Sequence, residues 1–162
     1  MAEAFNEREL PHGKDARYRE VAAEIASVLD GEPNLTARMA TVASMLASSF
    51  DHYFWTGFYV VDGEELVVGP YQGTLGCLRI AFGRGVCGTA AAKRQTQLVA
   101  DVNAFPGHIA CDSASRSEIV LPLVRDGELL GVLDIDSPRP DRFDEEDEAG
   151  LRPIAEILSR AL

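Results

Sequence analysis

The chain has 162 residues and a net charge of −11, from 15 Lys and Arg against 26 Asp and Glu. That length suits one domain with a core of its own, and so acidic a surface repels phosphate backbones, which argues against nucleic-acid binding. The first twenty residues are too charged for a signal peptide, and no apolar run nears the ~20 residues that cross a bilayer. An odd count of three cysteines suits a reducing compartment, so a cytoplasmic protein away from membranes is expected.

Residues 1–14 read as an N-terminal extension and 15–162 as a single domain. Over 15–30, Val21, Ile25, Val28 and Leu29 recur at helical spacing before Gly31, a common helix stop. Asn34 then caps a second helix whose Leu35, Met39, Val42, Leu46 and Phe50 keep the same period. From Tyr53 the chain turns β-branched and aromatic: YFWTGFYVV, a turn at Asp62-Gly63, then ELVVGPYQG. CLRIAF is a further strand, GRGVCGTAAAKRQ a glycine turn entering a short helix, and QLVADV another strand. Residues 103–116 form a loop, and EIVLPLV-RDG-ELLGVLDID a hairpin. Asp144 caps a last helix with Glu145, Glu146 and Asp147 in its first turn and an apolar stripe of Leu151, Ile154, Leu158 and Leu162, bent near Pro153. The order predicts an α+β fold, a central antiparallel sheet flanked by helices.

Asp134 and Asp136, two apart on one strand, project from one face. The hairpin turn decides whether Glu118 joins them. A two-residue Asp126-Gly127 loop sets Glu118 across from Ile135, on the wrong face. A three-residue Arg125-Asp126-Gly127 loop pairs Val124 with Glu128 and sets Glu118 opposite Asp134. The three-residue loop is predicted, with Ile119, Leu121, Leu123, Leu129, Leu133 and Ile135 on the core face and Val120, Val124, Leu130 and Val132 leading to three carboxylates on the other. Three acids at one spot need a bound cation or a retained proton. The alternative is acids at strand ends in water.

Trp55 and Tyr59, four apart on a strand, share a face and could wall a pocket for a sulfur-containing side chain, or simply pack a core. Phe54 and Phe58 fall on the opposite, core side. Cys77, Cys87 and Cys111 are separated by nine and twenty-three residues, which matches no short zinc pair. Metal binding by the cysteines with His108 is therefore disfavoured. Three thiols beside three acids suggest redox chemistry on a small cationic molecule, while ordinary buried cysteines remain the other reading of Cys77 and Cys87. Backbone N–H groups near Asp112 could lower the pKa of Cys111 and bind a carboxylate, and His108 is either its partner or an exposed loop residue.

Six blocks in order, WTGFY (55–59), GPYQG (69–73), GCLRI (76–80), GRGVCGTAA (83–91), HIACDSASRSEIVLP (108–122) and GVLDIDSP (131–138), resemble the free methionine-(R)-sulfoxide reductases, a GAF-domain family. The resemblance runs from about residue 15 onward. It implies a GAF fold, usually in a homodimer, and free methionine sulfoxide as substrate. It further implies that Cys111 is the nucleophile, Cys77 the resolving cysteine and Cys87 a third thiol concerned with recycling, and that Trp55, Tyr59, Glu118, Asp134 and Asp136 form the pocket. Arg84 stands where many relatives have lysine.

On that reading a Cys111 thiolate attacks the sulfoxide sulfur while Asp136 or Glu118 protonates the departing oxygen. Cys77 then closes a disulfide that thioredoxin, fed by NADPH, reduces; no bound cofactor is expected. The remaining carboxylates hold the substrate ammonium, which a residue within a peptide lacks. A GAF sensor that binds without chemistry, normally attached to an output domain for which 162 residues leave no room, and a thiol peroxidase or redox sensor are the competing classes.

Overall fold

The computed structural model describes residues 13–108 and 114–160. Within them, helix α1 (Gly13–Leu29) buries Tyr18, Val21, Ile25 and Leu29, which recur every three or four residues along one stripe. Val28, predicted to face inward, lies on the flank of that stripe in the last turn and is 58% exposed. The helix opens two residues before the predicted domain start at Asp15, and most of the predicted N-terminal extension lies outside the described residues. Helix α2 (Leu35–Ser49) begins where Asn34 accepts a bond from the Ala37 N–H at 2.9 Å, as its cap position requires.

Six strands follow: β1 (Trp55–Asp62), β2 (Glu65–Gln72), β3 (Arg79–Ala81), β4 (Gln97–Val99), β5 (Ser117–Arg125) and β6 (Glu128–Ser137). Helix α3 (Gly85–Lys93) lies between β3 and β4, and α4 (Glu145–Ser159) closes the chain. The strands form one sheet in the order β3-β2-β1-β6-β5-β4, antiparallel throughout. The predicted α+β class and flanked antiparallel sheet are therefore what the chain adopts. The first hairpin turns at Gly63 and Glu64, one residue later than expected, because Asp62 still pairs with Glu65 and Gly63 takes the positive φ of 65°.

Helices α1, α2 and α4 cover one face of the sheet, where Ile25, Leu46, Phe58, Ile119, Leu133, Ile135 and Leu151 are fully buried. Helix α3 lies against β5 and β6 on the other face, with Trp55, Tyr59, Leu66, Val86, Val120 and Val132 in a second apolar cluster. Each buried aliphatic side chain contributes about 1.5–3 kcal/mol, so both faces hold the sheet in place. Phe54, predicted to share the core with Phe58, instead packs against the second cluster. It precedes β1, so strand alternation does not reach it.

The β5–β6 hairpin corrects the predicted turn. Arg125 pairs with Glu128 across a two-residue Asp126-Gly127 loop, whose φ values of 50° and 80° are both positive. This twist matches the flanking strands, and aspartate tolerates the left-handed region. The register then slips, because Val124 pairs with Leu129 while Leu123 pairs with Gly131, leaving Leu130 as a bulge. The slip sets Glu118 opposite Asp136, not Asp134, and restores the parity that a plain two-residue turn would have lost. The bulge also exchanges two neighbours: Leu130 packs on the helix-covered core and Leu129 joins the second cluster, the reverse of the expected faces.

Helix α4 opens with a reciprocal cap, in which Asp144 accepts from the Glu146 and Asp147 N–H groups and Asp147 accepts from the Asp144 N–H at 2.8 Å. It spans Pro153 without a break. Leu162, the last residue of the predicted stripe, lies outside the described residues. No helix among the described residues is long and apolar enough to cross a membrane.

Candidate active site

The site grows from one row of the sheet. Trp55 on β1 pairs with Asp136 on β6, and Asp136 pairs in turn with Glu118 on β5. Residues directly opposite each other project to the same side, so an indole and two carboxylates line up across three strands. Asp134, two residues before Asp136, and Tyr59, four after Trp55, join them on that face. All five are at least nine-tenths buried.

Aromatic rings form one wall. Trp55 stacks on Tyr59 at 5.6 Å and on Tyr71 at 4.9 Å between centroids. Gly57 makes room for this, since a Cβ there would lie 2.2 Å from the Tyr71 Cβ. The Trp55 Nε1–H donates to the Thr74 carbonyl at 2.9 Å, which ties the wall to the segment carrying Cys77. Gly76 presses against both rings, and a Cβ on it would sit 3.0 Å from Trp55 Cζ2 and 3.2 Å from the Tyr59 hydroxyl.

These groups enclose a cavity with an empty volume of about 520 Å³, counting its open mouth. Its lining includes, among residues that sequence reasoning did not place there, Leu75, Arg84, Val86 and Ser115. None carries a local signal, because each reaches the cavity through the path of a loop or helix end. Arg84 is the N-cap of α3, so this residue and the amino end of a nine-residue helix border the cavity together. His108 also lines it, which places the histidine beside the acids rather than in open solvent.

Burial, and after it the crowding of like charges, dominates the electrostatics. Burial, and then the charges of Asp134 and Asp136, pushes the Glu118 carboxyl well above its ordinary range. Burial also raises Asp134, although sharing protons with Glu118, Cys87 and Asp136 pulls the other way. Burial and the same acids raise the Cys87 thiol, which stays protonated and donates to Glu118 Oε2 at 3.9 Å. His108 is lowered by burial, against the pull of Asp134.

Asp134 Oδ1 is buried without a hydrogen-bond partner. Cys87, Glu118 and Asp134 each bring one ligand atom within 4.8 Å of the others. This arrangement calls for positive charge, supplied by retained protons, an ammonium group or a metal ion. The sequence-based case against a metal concerned a different set, the three cysteines with His108.

The structure thus brings together Trp55, Tyr59, Cys87, Glu118, Asp134 and Asp136. Cys77 is half-buried on the neighbouring loop and is disulfide-bonded, whereas Cys87 is a free thiol. Cys111, expected to be the nucleophile, lies outside the described residues, as does Asp112.

Residues 34–162 match the GAF domain. The chain is 46% identical to the free methionine-R-sulfoxide reductase of Escherichia coli, over 90% of this chain and 88% of that protein. It is 41% identical to the free methionine-R-sulfoxide reductase of Saccharomyces cerevisiae, over 82% and 78% respectively. Its fold is similar to the X-ray structure of free methionine-R-sulfoxide reductase from Neisseria meningitidis in complex with its substrate. That match has a TM-score of 0.89 and 51% identity, and covers 93% of this chain and 90% of the other.

Proposed function

Because the chain belongs to the free methionine-R-sulfoxide reductases of the GAF-domain family, we propose that it reduces free methionine-(R)-sulfoxide by cysteine chemistry, with Cys111 as nucleophile and Cys77 as resolving thiol. The observation that carries this reading is the buried triad of Glu118, Asp134 and Asp136 beside the Trp55–Tyr59 stack in one cavity. The acids suit a substrate ammonium, and the unpartnered Asp134 Oδ1 is an acceptor waiting for such a donor. The amino end of α3 with Arg84 suits the α-carboxylate. The rings suit the thioether arm, since sulfur packs well on aromatic faces. A methionine residue within a protein chain offers neither charge.

In the first step the Cys111 thiolate attacks the sulfoxide sulfur, and the S–O oxygen passes to the cysteine with a proton from the acid cluster. The products are methionine and a Cys111 sulfenic acid. Glu118 suits the role of proton donor, because its raised pKa keeps it protonated where an ordinary glutamate is ionised. In the second step the Cys77 sulfur displaces the sulfenic oxygen, forming a disulfide and releasing water. Support comes from the state of the described thiols: Cys77 is disulfide-bonded and Cys87 is free. In the third step an external dithiol, thioredoxin kept reduced by NADPH, takes the disulfide by exchange and restores both thiols. The working unit is a homodimer.

The test is reduction of the two free methionine sulfoxide epimers in a thioredoxin- and NADPH-coupled assay, repeated with Cys111→Ser and with a peptide substrate. Turnover of the free R epimer alone, lost in Cys111→Ser, is expected. Equal use of both epimers, or activity that survives the substitution, overturns the assignment.

A further inference from the structure

A second concave site with an empty volume of about 410 Å³, counting its open mouth, lies between the Asp51-His52 turn and the segment that follows β6, lined by Asp51, His52, Ser137, Pro138, Arg139 and Arg142. It shares no lining residue with the substrate cavity. In a chain with 26 acids against 15 Lys and Arg, a hollow with two arginines, a histidine and one aspartate runs against the overall charge.

His52 is held rigidly there. Its ring stands edge-on to Tyr53 at 4.9 Å and to Phe50 at 6.2 Å, and lies tilted against Phe143 at 5.9 Å. Its Nε2 is buried and has no hydrogen-bond partner, while Nδ1 is 3.9 Å from Asp51 Oδ1, beyond hydrogen-bond reach. Arg142 is fixed from both sides, since Phe143 is a core residue and the Asp141 and Arg142 N–H groups donate to Ala100 O and Ser117 Oγ. Its Nε is likewise buried without a partner. Neither Arg139 nor Arg142 forms an ion pair with any described residue. The one acid in the lining, Asp51, has a side chain 94% exposed to water.

A buried imidazole nitrogen and a buried guanidinium nitrogen, both without hydrogen-bond partners, lie with a second guanidinium in a hollow where neither arginine is paired with a described acid. A water molecule would satisfy the hydrogen bonds and leave the charge. An anionic oxygen group satisfies both. We propose that this cavity binds a small oxyanion, a phosphate, sulfate or carboxylate group, held by Arg142, Arg139 and the imidazole of His52.

Burial and then Arg142 hold His52 low, with Lys14 acting the same way and Asp147 and Asp51 opposing. A bound anion favours the imidazolium, so binding tightens as pH falls.

The experiment follows the His52 Cε1–H resonance of the full chain by NMR during titration with sodium phosphate, sulfate or acetate, each against chloride at equal ionic strength. A saturable shift beyond that of chloride is expected, together with a rise in the His52 titration midpoint. Binding should weaken about fivefold or more in Arg142→Gln and in the exposed Arg139→Gln. It should be unchanged in Arg152→Gln, whose parent side chain is exposed and pairs with Glu148. Response to phosphate and sulfate alone identifies a tetrahedral ligand, and response to acetate identifies a carboxylate. Arg139→Gln decides alone if Arg142→Gln does not fold. The proposal is overturned if chloride reproduces the shift, if no anion moves the resonance, or if the folded arginine variants bind like the parent.

Discussion

Glu118 and Asp136 face each other directly across the β5–β6 ladder, and both are buried. Opposed carboxylates on neighbouring strands destabilise a sheet when both are ionised, and burial removes the water that would screen them. The fold therefore stores a proton at this pair, in the place where the proposed reduction needs one.

Glu118→Gln separates stability from catalysis. The folded-state pKa of Glu118 is raised, so its stabilising contribution is complete below the unfolded value and is lost as pH rises through the folded one. Glutamine stays neutral throughout. The variant should gain ~2–4 °C in Tm at pH 8 and nothing at pH 4, while kcat falls about 10²-fold. Thermal melts at both pH values with steady-state kinetics check this, and a Tm loss at pH 8 would contradict the strained pair.

Gly76→Ala tests the aromatic wall. The added methyl meets Trp55 Cζ2 at 3.0 Å and the Tyr59 hydroxyl at 3.2 Å, so the rings must yield where the thioether arm is expected to lie. The anticipated result is a KM about tenfold higher, equivalent to ~1.4 kcal/mol, with Tm nearly unchanged. Unaltered KM would place the thioether elsewhere.

Cys87→Ala asks whether this thiol attacks substrate. Burial and three acids keep it protonated, and a neutral thiol is a poor nucleophile. One equivalent of sulfoxide should release methionine from the variant at a rate within about twofold of the parent, with a stability cost of ~1 kcal/mol. Loss of this first turnover in rapid-quench measurements would make Cys87 the attacking group.

Tyr18→Phe concerns the opposite face of the sheet. The Tyr18 hydroxyl donates to Asp147 Oδ1 at 2.5 Å and lies 2.6 Å from the Tyr53 hydroxyl, all within the core. Its removal leaves buried polar groups short of a partner, at a cost of ~2–3 kcal/mol, or about 5–10 °C in Tm. Activity should persist below the new transition. A melt within one degree of the parent would show that the network adds nothing.

The sequence carried the architecture because period and punctuation are local properties. Helical spacing around Ile25 and Leu46, alternation around Phe58 and Ile135, and the caps at Asn34 and Asp144 each follow from residues a few positions apart. The site residues Trp55, Tyr59, Glu118, Asp134 and Asp136 were likewise legible as types on strands. Their convergence depended on the sum of a turn and a bulge. The Asp126-Gly127 dipeptide advertises its two-residue loop, but nothing in Leu129-Leu130-Gly131 announces which leucine is extra.

What the sequence determined by itself was therefore the elements, their order and the chemical kinds at the site. Tertiary structure alone decided that Glu118 meets Asp136, that Leu129 and Leu130 exchange faces, that His108 and Arg84 line the cavity of the acids, and that His52 and Arg142 share a hollow. Each of these pairs residues distant in the chain or turns on a one-residue register shift. Such contacts are set by how whole strands and loops pack, and no short window of sequence contains that information.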